Sequence, residues 1–566
     1  MTGVYYPYMA SIVGKRRGRQ TYYYLVESAR VGGKPRIVSQ RYLGSADEVL
    51  AKLSQTPTGQ PNRSQHKQFG DLAAVWSTLT RLDVAGIVDE VAPRRADAAA
   101  PVGTYLALAC ANRIVDPCSK REFADWWQST AGSRWVKLGR AALDHRRFWD
   151  AMDRLGDSEL REIETRLGRR MVSEFGLDLT GLALDMTNFA TFIDTGNQRA
   201  SIAQRGKAKQ KRTDLRLVGL ALVITRDGGV PVISHAYPGD RPDVTQFATV
   251  IDELLTRYRD LVSGVESLTV VYDAGQNSGD NHAVVETHGI GFVGSLPPSD
   301  HPDLLAIPDR AYRPVHPDRY PGLRYVDTTV TALGVSRRAV LTHSANLAAK
   351  QSRGLDQTLA KARRRLAELQ ARLARGRTRR DREQVQAEIA AIRKPRWVAD
   401  ILTVTLTGEQ PAQLRLSWHT DSKARQRLEQ RIFGKRILFT NRDWPVPDIV
   451  AAYRSQSDAE FGFRQLKDPH VVSFSPMHHW TDSKIRVHVS YCVLALAVAH
   501  LMHRHAGLHL SVRELLGQLA GIEETVLLYH DGGKGRPRVQ RMLTVMTPTQ
   551  HKLADLFDIH QYAPTR

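Results

Sequence analysis

Cysteine is scarce: the 566 residues contain only Cys110, Cys118 and Cys492, and none sits in a Cys-x-x-Cys pair. A disulfide scaffold and a Cys-based zinc module are therefore unexpected, and the chain suits a reducing, cytoplasmic compartment. Long hydrophobic runs are lacking too. The first twenty residues hold no apolar core of signal-peptide length. The most apolar stretch, residues 489–502, is broken by Ser490 and His500. It is too short to cross a bilayer and predicts a buried core helix, so no membrane partner is expected. Acid is the third shortage, with 59 Asp and Glu against 80 Lys and Arg, a net charge of +21. An excess of that size points to a polyanionic partner, nucleic acid above all. What remains is ordinary: 42% hydrophobic and 25% charged residues exclude wholesale disorder and a collagen-like repeat. The length suits about three to four domains, each able to bury a core.

The pattern divides the chain into segments. Residues 1–60 alternate as a small β domain around a Gly32-Gly33 turn, with Lys15, Arg16, Arg17 and Arg19 in a loop before the first strand. Residues 56–68 form a polar linker. Residues 61–178 carry apolar positions at three- and four-residue spacing and predict a helical domain, a candidate for DNA binding or for packing alone. From 179 to 300 the order is strand, strand, strand, helix, strand, helix, strand, an α/β arrangement with a mixed sheet. Residues 301–435 interrupt it. Within them lies a helical hairpin whose stripes are Leu355, Leu359, Leu366, Leu369, Leu373 and Val385, Ile389, Ile392. Between Lys361 and Arg396 stand 13 Lys and Arg against 4 Asp and Glu, so almost half of the excess charge sits in this arm. The arm suits either DNA or contact with a second copy. Residues 436–510 resume the α/β pattern, and residues 511–566 add a helix, a hairpin and a last helix.

Two acids end buried aliphatic runs: Asp185 in GLALD and Asp273 in TVVYD. An acid so placed is exposed at the carboxyl edge of a sheet, where α/β sites are built. Two facing carboxylates repel unless a cation lies between them, and hard oxygen ligands suit Mg²⁺ or Mn²⁺. A third acid, Glu460, lies in YRSQSDAEFGFRQLK. There Tyr453, Gln456, Glu460, Arg464 and Lys467 recur at steps of three or four along one helical face. Such a stripe fits a third metal ligand flanked by phosphate-gripping side chains. His478, His479 and Trp480 follow in a segment that could stack on a distorted DNA end, and equally could pack into the core or form a plain surface loop. His488 on the next helix is expected to be a satisfied packing residue.

These motifs resemble those of bacterial insertion-sequence DDE transposases with an RNase H-like core. The branch is defined by a Tyr-x2-Arg-x3-Glu-x6-Lys signature, which here runs Tyr453, Gln456, Glu460, Lys467 with the spacing kept and Gln in place of Arg. LDMTNF around Asp185, YDAGQNS around Asp273 and GLALVITRDGGVPVISHAYPG between them belong to the same likeness, as does SARVGGKPRIVSQRYLG near the N-terminus. The two Asp stand 88 residues apart, and the 187 residues from Asp273 to Glu460 leave room for an inserted domain. The resemblance implies two metal ions held by Asp185, Asp273 and Glu460 as the catalytic residues. It implies DNA contacts from Tyr453 and Lys467, to which the local sequence adds Gln456, Arg464, His479 and Trp480. The partners implied are double-stranded DNA, as terminal inverted repeats and target, and a second copy in the DNA complex. Two alternatives share these residues: an RNase H-like nuclease without strand transfer, and a catalytically retired DNA-binding protein.

Overall fold

The computed structural model describes residues 9–18, 20–31, 34–53, 61–194, 196–206, 214–261, 268–376, 379–529 and 538–565. The Gly32-Gly33 turn, Arg19 and residues 531–537, placed by the sequence in turns or loops, lie outside them. By contacts the chain forms two compact units: Met1–Lys67 with Glu523–Val545 and Ala563–Arg566, and Gln68–Ile522 with Met546–Tyr562.

The first unit is mainly β-sheet, with tyrosines and β-branched residues such as Tyr22, Tyr23, Tyr24 and Val26 concentrated in its second strand. Met9–Arg17, Gln20–Val31 and Lys34–Ser45 pair antiparallel. Tyr24 and Tyr42 face each other with ring centroids 5.3 Å apart, and the Lys15 ammonium lies 5.1 Å above the Tyr24 ring. Lys15, Arg16 and Arg17, expected in a loop, instead end the first strand. A second sheet of this unit has the order Arg538–Leu543, Glu523–Tyr529, Arg63–Gln68, so residues 63–68, read as linker and helical-domain start, are a strand paired far along the chain.

The second unit is built on a nine-stranded mixed sheet. Gly181–Thr191 is its pivot. This strand runs antiparallel to Arg216–Thr225, which pairs antiparallel with Pro231–Pro238 across the Asp227-Gly228-Gly229 turn. The turn holds φ of +83° at Gly228 and +62° at Gly229, values that only glycine adopts without strain. On its other side Gly181–Thr191 pairs parallel with Thr269–Val271, and that strand pairs parallel with Gly291–Leu296. The helices Asp243–Leu261 and Gly279–Thr287 lie on the two connections. The expected succession of three strands, helix, strand, helix, strand is thus observed.

The sheet continues where an insertion was expected to begin. Lys435–Thr440 pairs with Gly291–Leu296, then with Val335–Ser344, which pairs with Leu323–Ala332. A separate apolar cluster forms around the helix Ala345–Ala374. Both leucine-isoleucine stripes of the hairpin are buried there, together with Leu402, Leu414, Leu416 and Leu428 from the strand pair and helix that follow. The basic arm is therefore the outer face of a packed subdomain.

The helices Gly70–Arg81, Val84–Val91 and Val102–Val115 pack together and onto the long helix Asp482–Ala506. That helix has 25 residues and starts at Asp482, in line with the expectation of a helix from near Thr481 that carries the apolar run. By length and composition it could span a membrane, but 89% of its most apolar window is buried within the protein. It carries two fully enclosed histidines. His488 receives the Tyr491 hydroxyl on Nδ1 at 2.5 Å and donates from Nε2 to the Phe474 carbonyl at 2.7 Å, as expected of a packing residue. His500 donates from Nδ1 to the Gly229 carbonyl (2.7 Å), and its Nε2 lies 2.5 Å from the Gln465 side-chain amide.

Burial pushes the His500 imidazole down to about 4. The unfolded chain, with an ordinary histidine, binds the extra proton first as pH falls. Folding is consequently expected to lose about 3 kcal/mol between roughly pH 6.5 and 4 from this residue, with no loss above that window. Urea midpoints measured at pH 7 and 4.5 check this, and the acid loss should shrink in a His500→Asn variant.

Candidate functional site

The register of the pivot strand sets the two aspartates side by side. Gly181, Leu182 and Ala183 pair with Thr269, Val270 and Val271, an offset of 88 residues. Asp185 and Asp273 share that offset, so they occupy matching positions just past the last residues that these two strands pair. Asp185, expected to end its strand, instead lies within it, paired on the other side with Leu222. Neighbouring strands lie about 4.8 Å apart, which lets two such side chains address one ligand. The runs before them are buried, whereas Asp185 is half-buried and Asp273 exposed. Strand alternation places Asp185, Thr187 and Phe189 on one face.

Asp273 is held from two sides. Ser295 Oγ donates to its Oδ1 at 3.0 Å. Tyr453 Oη lies 3.1 Å from the same oxygen and 3.0 Å from Ser295 Oγ. Burial raises the Tyr453 phenol's pKa despite the Arg436 guanidinium near its ring, so it stays a neutral donor. Asp185 Oδ1 accepts from the Met186 amide at 2.8 Å.

Helices Val446–Arg454 and Gln456–Lys467 follow one another with Ser455 in helical conformation between them. Tyr453, Glu460 and Lys467 are spaced by seven, two helical turns each, and so share a face. Tyr453 reaches Asp273. At the other end, Lys467 Nζ donates to Thr187 Oγ1 at 2.8 Å and stands 5.1 Å from the Phe189 ring centre, on the face that carries Asp185. The second helix also packs on Gly181–Thr191, so Glu460 rides between one anchor on Asp273 and another on Thr187, two residues along the strand from Asp185.

Glu460 itself is exposed and has no hydrogen bond or ion pair among the described residues. Nor do any three His, Cys, Asp or Glu side chains among the described residues stand close enough together to hold a metal ion. The donor set fits a hard divalent cation in its chemistry, with all-oxygen ligands and two carboxylates at matching strand positions. The third carboxylate is on the right helix face but is not drawn in.

The other expected DNA contacts divide by exposure. Arg464 is exposed, its guanidinium 5.3 Å over the Phe461 ring. Trp480 is exposed, with the Arg199 guanidinium 5.4 Å over its ring. Gln456 and His479, expected at the DNA surface, are instead buried. Gln456 lies on the packed side of its helix, as buried as Tyr453, while Glu460, four residues further on, is exposed. His479 packs 5.3 Å from the His488 ring, and burial, with the nearby Lys120 charge, pushes its imidazole down to about 3. Ser295 and Thr187 were not anticipated. Ser295 near the end of the apolar strand GFVGSL carries the same signal as the two aspartates: a polar side chain at the end of a buried run.

Replacing Tyr453 by Phe removes one hydrogen bond to Asp273 without a cavity. It is expected to change stability by no more than about 1 kcal/mol. A fall of about tenfold in any activity of the carboxylates is expected alongside. Melting curves and turnover on one preparation check both.

No protein-family model matches this chain, and no curated protein matches it. Among solved structures it is similar to a piggyBac transposase synaptic complex with hairpin DNA, solved by cryo-electron microscopy. The similarity covers 89% of this chain and 85% of that chain, at 9% sequence identity and a TM-score of 0.37. A likeness of that strength carries no weight for what this chain does.

Proposed function

We propose that the chain is a DNA transposase of the insertion-sequence type, with an RNase H-like core in which Asp185, Asp273 and Glu460 are the catalytic carboxylates. The observation that carries this reading is the matched register of Asp185 and Asp273 under a helix pair whose Tyr453 touches Asp273 and whose Lys467 touches Thr187, on the strand face that carries Asp185. The three acids would hold two Mg²⁺ or Mn²⁺ ions, which when bound would activate the attacking oxygen and stabilise the leaving oxygen of an in-line displacement at phosphorus. Tyr453 and Ser295 fix the Asp273 carboxylate. Lys467 and Arg464 offer positive charge beside the scissile phosphate. Water attack would free a 3′-hydroxyl at the element end, and that hydroxyl would then attack target DNA. A labelled duplex taken from the DNA flanking the reading frame tests this. Mg²⁺-dependent cleavage at a fixed position supports it, and an intact duplex under all divalent-metal conditions refutes it.

The basic arm supplies sequence-independent affinity in this reading. Lys361, Arg365, Arg375 and Arg379 are exposed on it. Changing all four to Gln is expected to lower the slope of log affinity against log salt by about 0.9 for each phosphate that is no longer neutralised. An unchanged slope would move the arm from DNA to protein contacts.

A further inference from the structure

The strand Lys435–Thr440 is buried along its length except at one residue, Arg436. Its pairing fixes where that side chain stands. Ile437 and Leu438 pair antiparallel with Leu296 and Ser295. Directly opposed residues share a sheet face, and so do residues two apart on one strand, so Arg436 lies on the face of Leu438 and Ser295. The two strands run in opposite directions, which puts Arg436 one position beyond Ile437, toward the edge at which Gly291–Leu296 ends. That is the face and the edge from which Ser295 reaches Asp273. Asp185, Asp273, Ser295 and Arg436 thus stand on, or just past, four neighbouring strands of one sheet, in that order.

The neighbouring Lys435 is buried and satisfied, its ammonium donating to the Leu305 carbonyl at 2.9 Å. Arg436 has no such role. Among the described residues its guanidinium makes no hydrogen bond or ion pair. It lies instead 5.0 Å over the Tyr453 ring, whose hydroxyl is 3.1 Å from Asp273 Oδ1. One tyrosine ring therefore separates an uncommitted guanidinium from the Asp273 carboxylate. Contact with a ring face leaves all five N–H donors of a guanidinium free, because they project from the rim of its plane. The ring restricts the side chain, and the fork stays open to an acceptor with two oxygens. Lys467 supplies a cation on the Asp185 side, through Thr187, and Arg436 supplies one on the Asp273 side.

We infer that Arg436 is a further catalytic residue, whose guanidinium binds two oxygens of the DNA phosphate that flanks the scissile one on the Asp273 side. The assignment rests on the transposase reading above and adds to it a residue outside the Tyr453–Lys467 stripe. Held there, the flanking phosphate fixes the strand so that the scissile phosphate lies over the carboxylates. Binding energy from a group that does not react is then used for orientation, and its loss appears in the rate at saturating DNA more than in affinity.

The test is single-turnover cleavage by the full chain, with Mg²⁺ and saturating duplex from the DNA flanking the reading frame. The duplex is used unmodified and with a single neutral methylphosphonate at each position around the cut in turn. Arg436→Gln is expected to slow cleavage of the unmodified duplex by about tenfold or more. Arg436→Lys keeps the charge without the fork and should fall between the two. One methylphosphonate beside the cut should slow the parent by a similar factor and cost Arg436→Gln nothing further. That coupling names the phosphate, and a merely structural role for Arg436 would not produce it. Melting curves on the same samples check the fold; if Arg436→Gln melts early, Arg436→Lys carries the coupling test. Arg436→Gln cutting at the parent's rate, or variants as sensitive as the parent at every methylphosphonate position, would overturn the assignment and leave the transposase reading standing. A parent chain that cuts no duplex with any divalent metal refutes that reading and the assignment together.

Discussion

Asp185→Asn is expected to abolish DNA cleavage by the chain, with a loss on the order of a thousandfold or more, roughly 4 kcal/mol of barrier. The substitution keeps the shape of the side chain and an oxygen to accept from the Met186 amide, so the strand has no reason to rearrange. What it removes is the negative charge. In the proposed mechanism the two carboxylates at matching positions together hold the metal ions, and half of such a set does not do half of the work. Asp273→Asn should therefore cost about as much, and the double variant little more than either single one. DNA affinity and melting should stay at the parent value, since the basic arm lies elsewhere in the sequence and Asp185 is only half-buried. Single-turnover cleavage of labelled duplex, with a binding titration on the same samples, checks all of this.

The second large effect concerns stability. Arg257 is buried, with 8% of its side chain exposed, and its guanidinium is paired with Glu164. Glu164 also receives the Ser234 hydroxyl at 2.7 Å. The neighbouring Glu253 lies 3.5 Å from Arg257 and 3.1 Å from His235 Nδ1. Burial raises the Glu164 carboxyl's pKa and the Arg257 charge pulls it back down. Glu164→Ala would leave a buried guanidinium without its closest partner, and the expected cost is about 3–5 kcal/mol. Replacing both residues, as Glu164→Gln with Arg257→Met, should recover most of that loss. The contrast separates the penalty of a stranded charge from the worth of the pair. Urea unfolding of the single and double variants measures it.

Much of the pivot of the fold was legible because its strands are continuous aliphatic runs punctuated by acids and glycines. Asp185 and Asp273 stood out for that reason, and their common register follows from a three-residue stretch of parallel pairing between Gly181–Thr191 and Thr269–Val271. Tyr453, Glu460 and Lys467 were legible through helical spacing. The burial of Gln456 was not, because helical spacing groups it with the exposed Glu460, and only packing shows which one is covered. His479 was hidden for a similar reason: a polar loop in sequence folds under the helix Asp482–Ala506 and meets His488. Strand partners distant in sequence were the other blind spot. Residues 323–344 alternate as ordinary strands, but nothing local says that they extend the central sheet. Residues 63–68, RSQHKQ, are polar throughout and give no local sign of pairing with Glu523–Tyr529.

The most direct measurement is a strand-transfer assay with the purified chain, pre-cleaved ends from the DNA flanking its reading frame, a supercoiled target and Mg²⁺. Covalent joining of the 3′-hydroxyl ends to the target by the parent chain, absent in Asp185→Asn, is the predicted result. Cleavage of flanking DNA with no joined product would contradict the transposase account and leave a nuclease in its place.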